Sequence, residues 1–390
     1  MGEGTKLQDM LEKKEVLKLG GGPARIEKQH AAGKLTARER LELLFDPGSF
    51  QEYNIFMKHR CHDFGMEKIS TTAEGVVTGY GLVKGRGVFA FAHHFTVLGG
   101  AMGEMQGMKV KRMQELALDA GLPFVGLNDS GGARIQEGPS TSYGNIFYNN
   151  VMASGVIPQI SAIMGPCAGG TVYSPALTDF IVMVKNTSNM FITGPKVIKS
   201  VTMEEVTAEE LGGAQTHSSV SGVAHFACED ETDCINKIKA LLDFLPSNNM
   251  EEAPVVESSD RPDRTDESLD SIVPDSDTAA YDMLDVLRAC VDDGNIYQVL
   301  ENYALNMITC FARFDGQTVG IIANQPKFLA GCLDINASDK IVVSVDGENV
   351  ALPGQKTPIL IRMAEKTARF ISFPEKTFTM ILREKLKPRG

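Results

Sequence analysis

Phe124-Val125-Gly126-Leu127-Asn128-Asp129-Ser130-Gly131-Gly132-Ala133-Arg134 is an apolar run, then a glycine pair, then a helix-like start. Ile160-Ser161-Ala162-Ile163-Met164-Gly165-Pro166-Cys167-Ala168-Gly169-Gly170 repeats that plan about thirty-five residues later. Each reads as a buried strand ending in a turn where side chains do not crowd the backbone. Bare N–H groups at a helix start can hold a negative oxygen. The pattern points to chemistry performed by main-chain amides rather than by a side-chain nucleophile.

The flanking sequence places these units in an α/β frame. Residues 5–18 read as a charged amphipathic helix ended by Gly20-Gly21-Gly22-Pro23, and residues 24–45 as further helix with Thr36 as a cap. Residues 74–98 read as strands with turns at Lys84-Gly85 and Gly99-Gly100, and residues 101–120 as a helix. Met190 to Pro195 reads as another strand and turn, residues 203–212 as a helix starting after Thr202, and residues 231–245 as a helix closed at Pro246. Residues 251–278 are acidic and rich in Pro, Ser and Asp, which is a linker composition.

Beyond that linker the first half is echoed. Val83-Lys84-Gly85-Arg86-Gly87-Val88 corresponds to Phe314-Asp315-Gly316-Gln317-Thr318-Val319, and the same spacing puts Gly100 on Gly331. The repeat favours an internal duplication. Residues 341–390 break the pattern, with nine Lys/Arg against five Asp/Glu and irregular apolar spacing. Three readings stay open for them: a basic tail, a strand pair with a helix, or a shifted reading frame. The domain expectation is therefore 1–250, a linker at 251–278, a second unit beginning at 279–340, and a divergent tail at 341–390.

Composition narrows the function classes. The chain has 390 residues, 43% hydrophobic and 23% charged, enough for about two cored domains. A net charge of −12 argues against binding nucleic acid or an anionic membrane. Seven scattered cysteines without a CxxC pair argue against a disulfide framework or a zinc ribbon, and imply reduced thiols in a cytoplasmic protein. No run of eighteen apolar residues occurs, so contact with a membrane would come through a partner.

Other motifs weigh less. Asp129-Ser130-Gly131-Gly132 resembles a serine-protease nucleophile region, but the upstream strand and the absence of a base motif reject that reading, and Ser130 is better read as a cap. Cys167 reads as a small buried filler, and His93-His94 as a strand end facing a cleft, with no metal set. The cations Lys28, Lys34, Arg38 and Arg40 meet either a phosphate or only solvent.

Taken together, Gly33 to Arg40, Asn128 to Glu137, Met164 to Leu177, Met190 to Lys199, Ser221 to His225 and Gly331 to Lys340 resemble the carboxyltransferase subunits of biotin-dependent acyl-CoA carboxylases and decarboxylases. The resemblance covers about residues 10–340. It implies a duplicated crotonase-like ββα spiral fold, first copy complete and second copy incomplete. It implies transfer of a carboxyl group between biotin and a short acyl-CoA of the methylmalonyl-CoA or propionyl-CoA type, without a metal. Gly131, Gly132 and Ala133 would supply the oxyanion amides. Gly169, Gly170, Ala168, Arg134, Lys34 and Arg38 would serve the acyl-CoA side. Implied partners are a biotin carboxyl carrier protein, other carboxylase or decarboxylase subunits, and further copies of the same chain. One such assembly is a decarboxylase complex at a membrane. After Lys340 the family's second glycine-glycine-alanine turn is not found, so truncation or frameshift is the expected cause. The chain alone is then expected to transfer weakly, or to act as a non-catalytic acyl-CoA-binding or assembly module.

Overall fold

A computed structural model describes residues 3–137, 142–261, 263–276, 279–340, 343–345 and 348–350. The chain divides into two units, Met1–Asn349 and Val350–Gly390. Of the divergent tail expected at 341–390, residues 351–390 lie outside the described residues.

Three helices open the chain: α1 (Glu3–Lys18), α2 (Pro23–Ala31) and α3 (Ala37–Leu44). The single helix expected over 24–45 is broken at Gly33, whose φ of 73° belongs to the left-handed region. Thr36 then restarts it with a capping box. Its hydroxyl accepts from the Glu39 N–H, and the Glu39 carboxylate accepts from the Thr36 N–H at 2.7 Å. Such a cap stabilises a helix by about 1 kcal/mol.

The central sheet follows: β1 (Gln51–Tyr53), β2 (Val76–Val83), β3 (Arg86–His93), β4 (Phe124–Ser130), β5 (Gln159–Ala168), β6 (Phe180–Val184), β7 (Asn189–Phe191) and β8 (Phe226–Cys228). The strand order is β1-β2-β3-β4-β5-β6-β8, with β7 beside the end of β5. β2 runs antiparallel to both β1 and β3, and every pairing in this sheet from β3 onward is parallel. Strands β4 to β6 read as near-continuous apolar runs because helices cover both faces of a parallel sheet. The helices of this half are α4 (Glu104–Ala120), α5 (Ser142–Ala153), α6 (Gly170–Ala176), α7 (Pro195–Thr202), α8 (Ala208–Gly212), α9 (Ala214–Ser219) and α10 (Glu231–Phe244), of which α7 buries no residue. One core joins α3 and α10 to one face through Leu41, Leu44, Ile235 and Ile238. The other joins α4 and α5 to the opposite face through Val110, Met113 and Ile146. The helix expected at 203–212 is displaced. Helix α7 ends at Thr202, Met203 turns left-handed, and α8 restarts at Ala208 behind a Thr207 cap.

Two short helices follow, α11 (Leu269–Ile272) and α12 (Met283–Cys290). A second sheet comes next, built of β9 (Tyr297–Val299), β10 (Met307–Phe314) and β11 (Gln317–Asn324), then α13 (Ile335–Lys340). Strands β12 (Val343–Val345) and β13 (Glu348–Val350) complete the described residues.

The duplication is visible atom by atom. Helix α3 behind Thr36 becomes α12 behind Asp282, each of eight residues. The Asp46 carboxylate accepts from the N–H groups of Lys84 and Gly85, and the Asp292 carboxylate accepts from Asp315 and Gly316. Gln51 pairs with Tyr80 across β1–β2, and Tyr297 pairs with Phe311 across β9–β10. Both hairpins turn on two left-handed residues, Lys84-Gly85 and Asp315-Gly316, the geometry that matches strand twist. The Lys109 ammonium donates to the carbonyls of Ala73 and Val76, at 2.8 and 2.6 Å. Its counterpart Lys340 donates to those of Tyr303, Ala304 and Met307, among others. The fold is the crotonase-like duplicated ββα fold, with the second copy less complete.

Candidate active site

Strands β4 and β5 run in parallel register from Phe124↔Gln159 to Asn128↔Ile163, and then the register shifts so that Ser130 lies opposite Cys167. The extra residues bulge at Met164-Gly165-Pro166. Gly165 is required there, because a Cβ would fall 1.9 Å from a carboxylate oxygen of Asp129. The bulge brings the second turn beside the first. A Cβ on Gly132, whose φ is 108°, would sit 3.1 Å from the Ala168 carbonyl oxygen. The two glycine turns predicted from sequence therefore stand side by side at the carboxyl ends of neighbouring strands.

Their amides are not equivalent. The Gly131 N–H donates to the Gly99 carbonyl at 3.0 Å, and the Gly132 N–H makes a long bond of 3.3 Å to the Ser130 hydroxyl. Gly131 is thus withdrawn as an oxyanion donor, and Gly132 is partly engaged. The reason is that this turn zips onto the segment after β3: Met102 donates to Gly132, and Arg134 donates to Met102. No helix begins there either. Ala133 is extended in an isolated bridge, and a single 3-10 turn (Ile135–Glu137) follows. Among the described residues no hydrogen bond is accepted from the N–H of Ala133, Gly169 or Gly170. Gly169 adopts φ 60° and ψ −129°, and Gly170 opens α6. Ser130 is no cap: its hydroxyl donates to the Gly100 carbonyl at 2.7 Å.

Beneath the first turn lies a buried charge network that sequence reading missed. Asp129, fully buried, pairs with Lys34 at 2.7 Å and with Arg40 at 3.0 Å. Arg40 forks onto Glu231 at 2.8 and 2.5 Å, tying α3 to α10. Burial opposes the Arg40 charge, but the Asp129 and Glu231 carboxylates outweigh it and hold its pKa above the ordinary value. Burial pulls the Lys34 ammonium down despite Asp129. The signal available in sequence was Asp129 itself, an acid closing an apolar strand.

Of the expected cations, Lys28 is exposed, while Arg38 and Arg134 spend most of their donors within the protein. Arg38 forms a fork with Glu52 at 3.1 and 2.7 Å and donates to the Lys18 carbonyl. Arg134 pairs with Glu74 at 2.5 Å and Glu137 at 2.6 Å, and donates to the Ala101 carbonyl, anchoring the residue after Ala133. Cys167 is buried with its thiol pushed up to about 12 by burial. His93 and His94 are buried rather than facing a cleft, and burial lowers both to about 3, so each is neutral near pH 7. Among the described residues no three His, Cys, Asp or Glu side chains are grouped to hold a metal ion. No described helix is long and apolar enough to cross a membrane.

Fit to biotin can be tested on the repeat itself. From β10 onward the second copy follows the first at a constant separation of 231 residues, as from Gly85 to Gly316. At that separation Gly131 and Gly132 correspond to Arg362 and Met363, which lie outside the described residues. The glycine pair is therefore not repeated at those positions of the sequence.

Residues 28–350 match the carboxyl transferase domain. The chain is 65% identical over 337 residues to the methylmalonyl-CoA decarboxylase subunit alpha of Veillonella parvula, covering 86% of this chain and 66% of that one. It is 52% identical over 343 residues to the human mitochondrial propionyl-CoA carboxylase beta chain, covering 87% and 64%. It superposes on the transcarboxylase 12S structure, described as a hexamer with methylmalonyl-coenzyme A and methylmalonic acid bound. There the TM-score is 0.85 and the identity 51%, covering 87% of this chain and 67% of that chain. The chain spans about two thirds of the length of the curated relatives it matches.

Proposed function

The chain belongs to the carboxyl transferase family, and from that premise we propose that it is the acyl-CoA side of a transferase moving a carboxyl group between carrier-borne biotin and a short acyl-CoA. The substrate class is the methylmalonyl-CoA and propionyl-CoA pair. The observation that carries this reading is the apposition of the two turns where β4 and β5 end, with the Ala133 and Gly170 amides unbonded among the described residues. Two such donors aimed at one thioester oxygen stabilise the charge that develops on it, each by about 3 kcal/mol. Gly132 shares in this only as its long bond to Ser130 yields. Gly169 and Ala168 shape the adjoining wall. Lys34 and Arg134 act from within by fixing the first turn, and Arg38 by fixing the N-terminal helices. Biotin, on its carrier, supplies the carboxyl acceptor or donor. A carrier protein, other subunits and further copies of the chain are its partners. The seven unpaired cysteines support a reducing compartment.

Calorimetry and turnover assays test this. The chain is expected to bind propionyl-CoA saturably and to release propionyl-CoA from methylmalonyl-CoA slowly, dependent on added biotin. Gly132→Ala, which pushes a Cβ toward Ala168, should cut that transfer by about a hundredfold. Binding without transfer would leave a non-catalytic acyl-CoA module. Free CoA released without biotin would make the chain a thioester hydrolase instead.

A further inference from the structure

His93 stands behind both glycine turns and belongs to neither. Its Nδ1 accepts from the Asp129 N–H at 3.4 Å, which leaves the ring proton on Nε2. That Nε2 is buried and meets no partner among the described residues. His93 lines a small cavity walled by Phe91, Met102, Val110 and Ile146. Its free volume is about 10 Å3, about the room that one water molecule needs. On the same cavity lies Tyr143, whose buried hydroxyl also meets no partner among the described residues. The other polar walls have used their donors: Asn128 on the Gly126 and Ala162 carbonyls, Thr171 on Ala168, and Ser174 on Asn150. The Tyr143 ring packs under the second turn, so close that a Cβ on Gly170 would meet it at 2.8 Å.

We infer that this cavity is a site for one bound water, which accepts from His93 Nε2–H and donates to the Tyr143 oxygen. The bridge ties the end of β4, through the Asp129 N–H, to the start of α6, through the ring under Gly170. His93 and Tyr143 are thereby positioning residues that set the spacing of the Ala133 and Gly170 amides. The role assigned to those amides rests on the proposed function; the water site does not.

Two measurements separate the claims. A high-resolution crystal structure of the chain should show one ordered water between His93 and Tyr143. A dry cavity, or a direct bond from either group to protein, overturns the inference whatever the activity. The second measurement is the infrared shift of the thioester carbonyl of 13C-labelled propionyl-CoA on binding, in wild type, His93→Asn, Tyr143→Phe and the double variant. Asparagine can still accept from the Asp129 N–H but no longer reaches the cavity. Each single variant should lose a similar share of the downshift with binding affinity changed less than about twofold. The double variant should lose little more, because both act through one molecule. Additive losses would mean two separate structural effects and sink the bridge. A wild type with no downshift would sink the proposed function and leave the crystallographic test of the water intact.

Discussion

The hairpin β2–β3 and the hairpin β10–β11 share turn, register and buried lysine, yet not their surroundings. Phe91 on β3 is 6% exposed, and its counterpart Ile322 on β11 is 59% exposed. Met102 is 4% exposed against 59% for Leu333. The difference lies in β4, which pairs with β3 from Phe89 to Ala92, whereas β11 pairs with β10 alone among the described residues. Local chemistry therefore suffices to build the hairpin twice. A parallel neighbour is what converts it into a core and a site.

The loops between them sharpen the point. Asn54 to Gly75 joins β1 to β2 in the first copy, and only Leu300 to Asn306 joins β9 to β10 in the second. Both routes keep a left-handed residue straight after the first strand, Asn54 and Leu300, and an alanine in the same conformation before the next, Ala73 and Ala304. The next residue differs: in the first copy it is Glu74, which grips Arg134 behind Ala133, and in the second it is Leu305.

The largest test removes what the first copy has alone. Arg40→Met leaves Asp129 and Glu231 short of their shared buried partner and should cost about 3–5 kcal/mol in urea unfolding. A loss below about 1 kcal/mol would mean that the network does not secure the first turn. Next, Lys109→Met strips two buried carbonyls of their donor and should cost about 3 kcal/mol, while Lys340→Met, at the less covered site, should cost about half that. Equal losses would break the claim that burial sets the difference. Gly316→Ala should cost about 2 kcal/mol, because a left-handed alanine is strained and its Cβ would also strike the Val256 carbonyl; Gly85→Ala, with open space around it, should cost about 1 kcal/mol.

The smallest effect is a pH slope. Burial lowers Lys109 to about 7 and Lys340 to about 8, against 10.5 when exposed. Each binds its proton more weakly folded than unfolded, so stability rises as pH climbs from those values toward 10.5. Urea midpoints measured from pH 7 to pH 9 should rise in the wild type. Lys109→Met should flatten the slope from pH 7, and Lys340→Met only from about pH 8. A slope unchanged in both variants would remove the lysines as its source.

Much of this was legible in the chain. The apolar runs of β4 and β5, the glycine pairs and the Lys84-Gly85 and Asp315-Gly316 turns each carry their geometry in three or four neighbouring residues. Helix α12 was missed, since its eight residues follow an acidic stretch and carry only a short apolar face. Ser130 as a cap and the helix after Gly132 were wrong because the segment at 99–102 captures that turn from a distance. The Arg40 and Lys34 contacts were invisible for the same reason, with partners 191 and 95 residues away.

Sequence alone determined the glycine-ended strands β4 and β5, the two hairpin turns, the repeat and the family, because these depend on side-chain period and on conformations that few residues tolerate; β1, β6, β8 and β9 were not read from it. Only the tertiary structure decided which amides remain unbonded. Gly131 gives its hydrogen to Gly99, and Ala133 gives its own to no described residue, because hydrogen-bond satisfaction depends on what arrives from elsewhere in the chain and not on the residue that carries the donor.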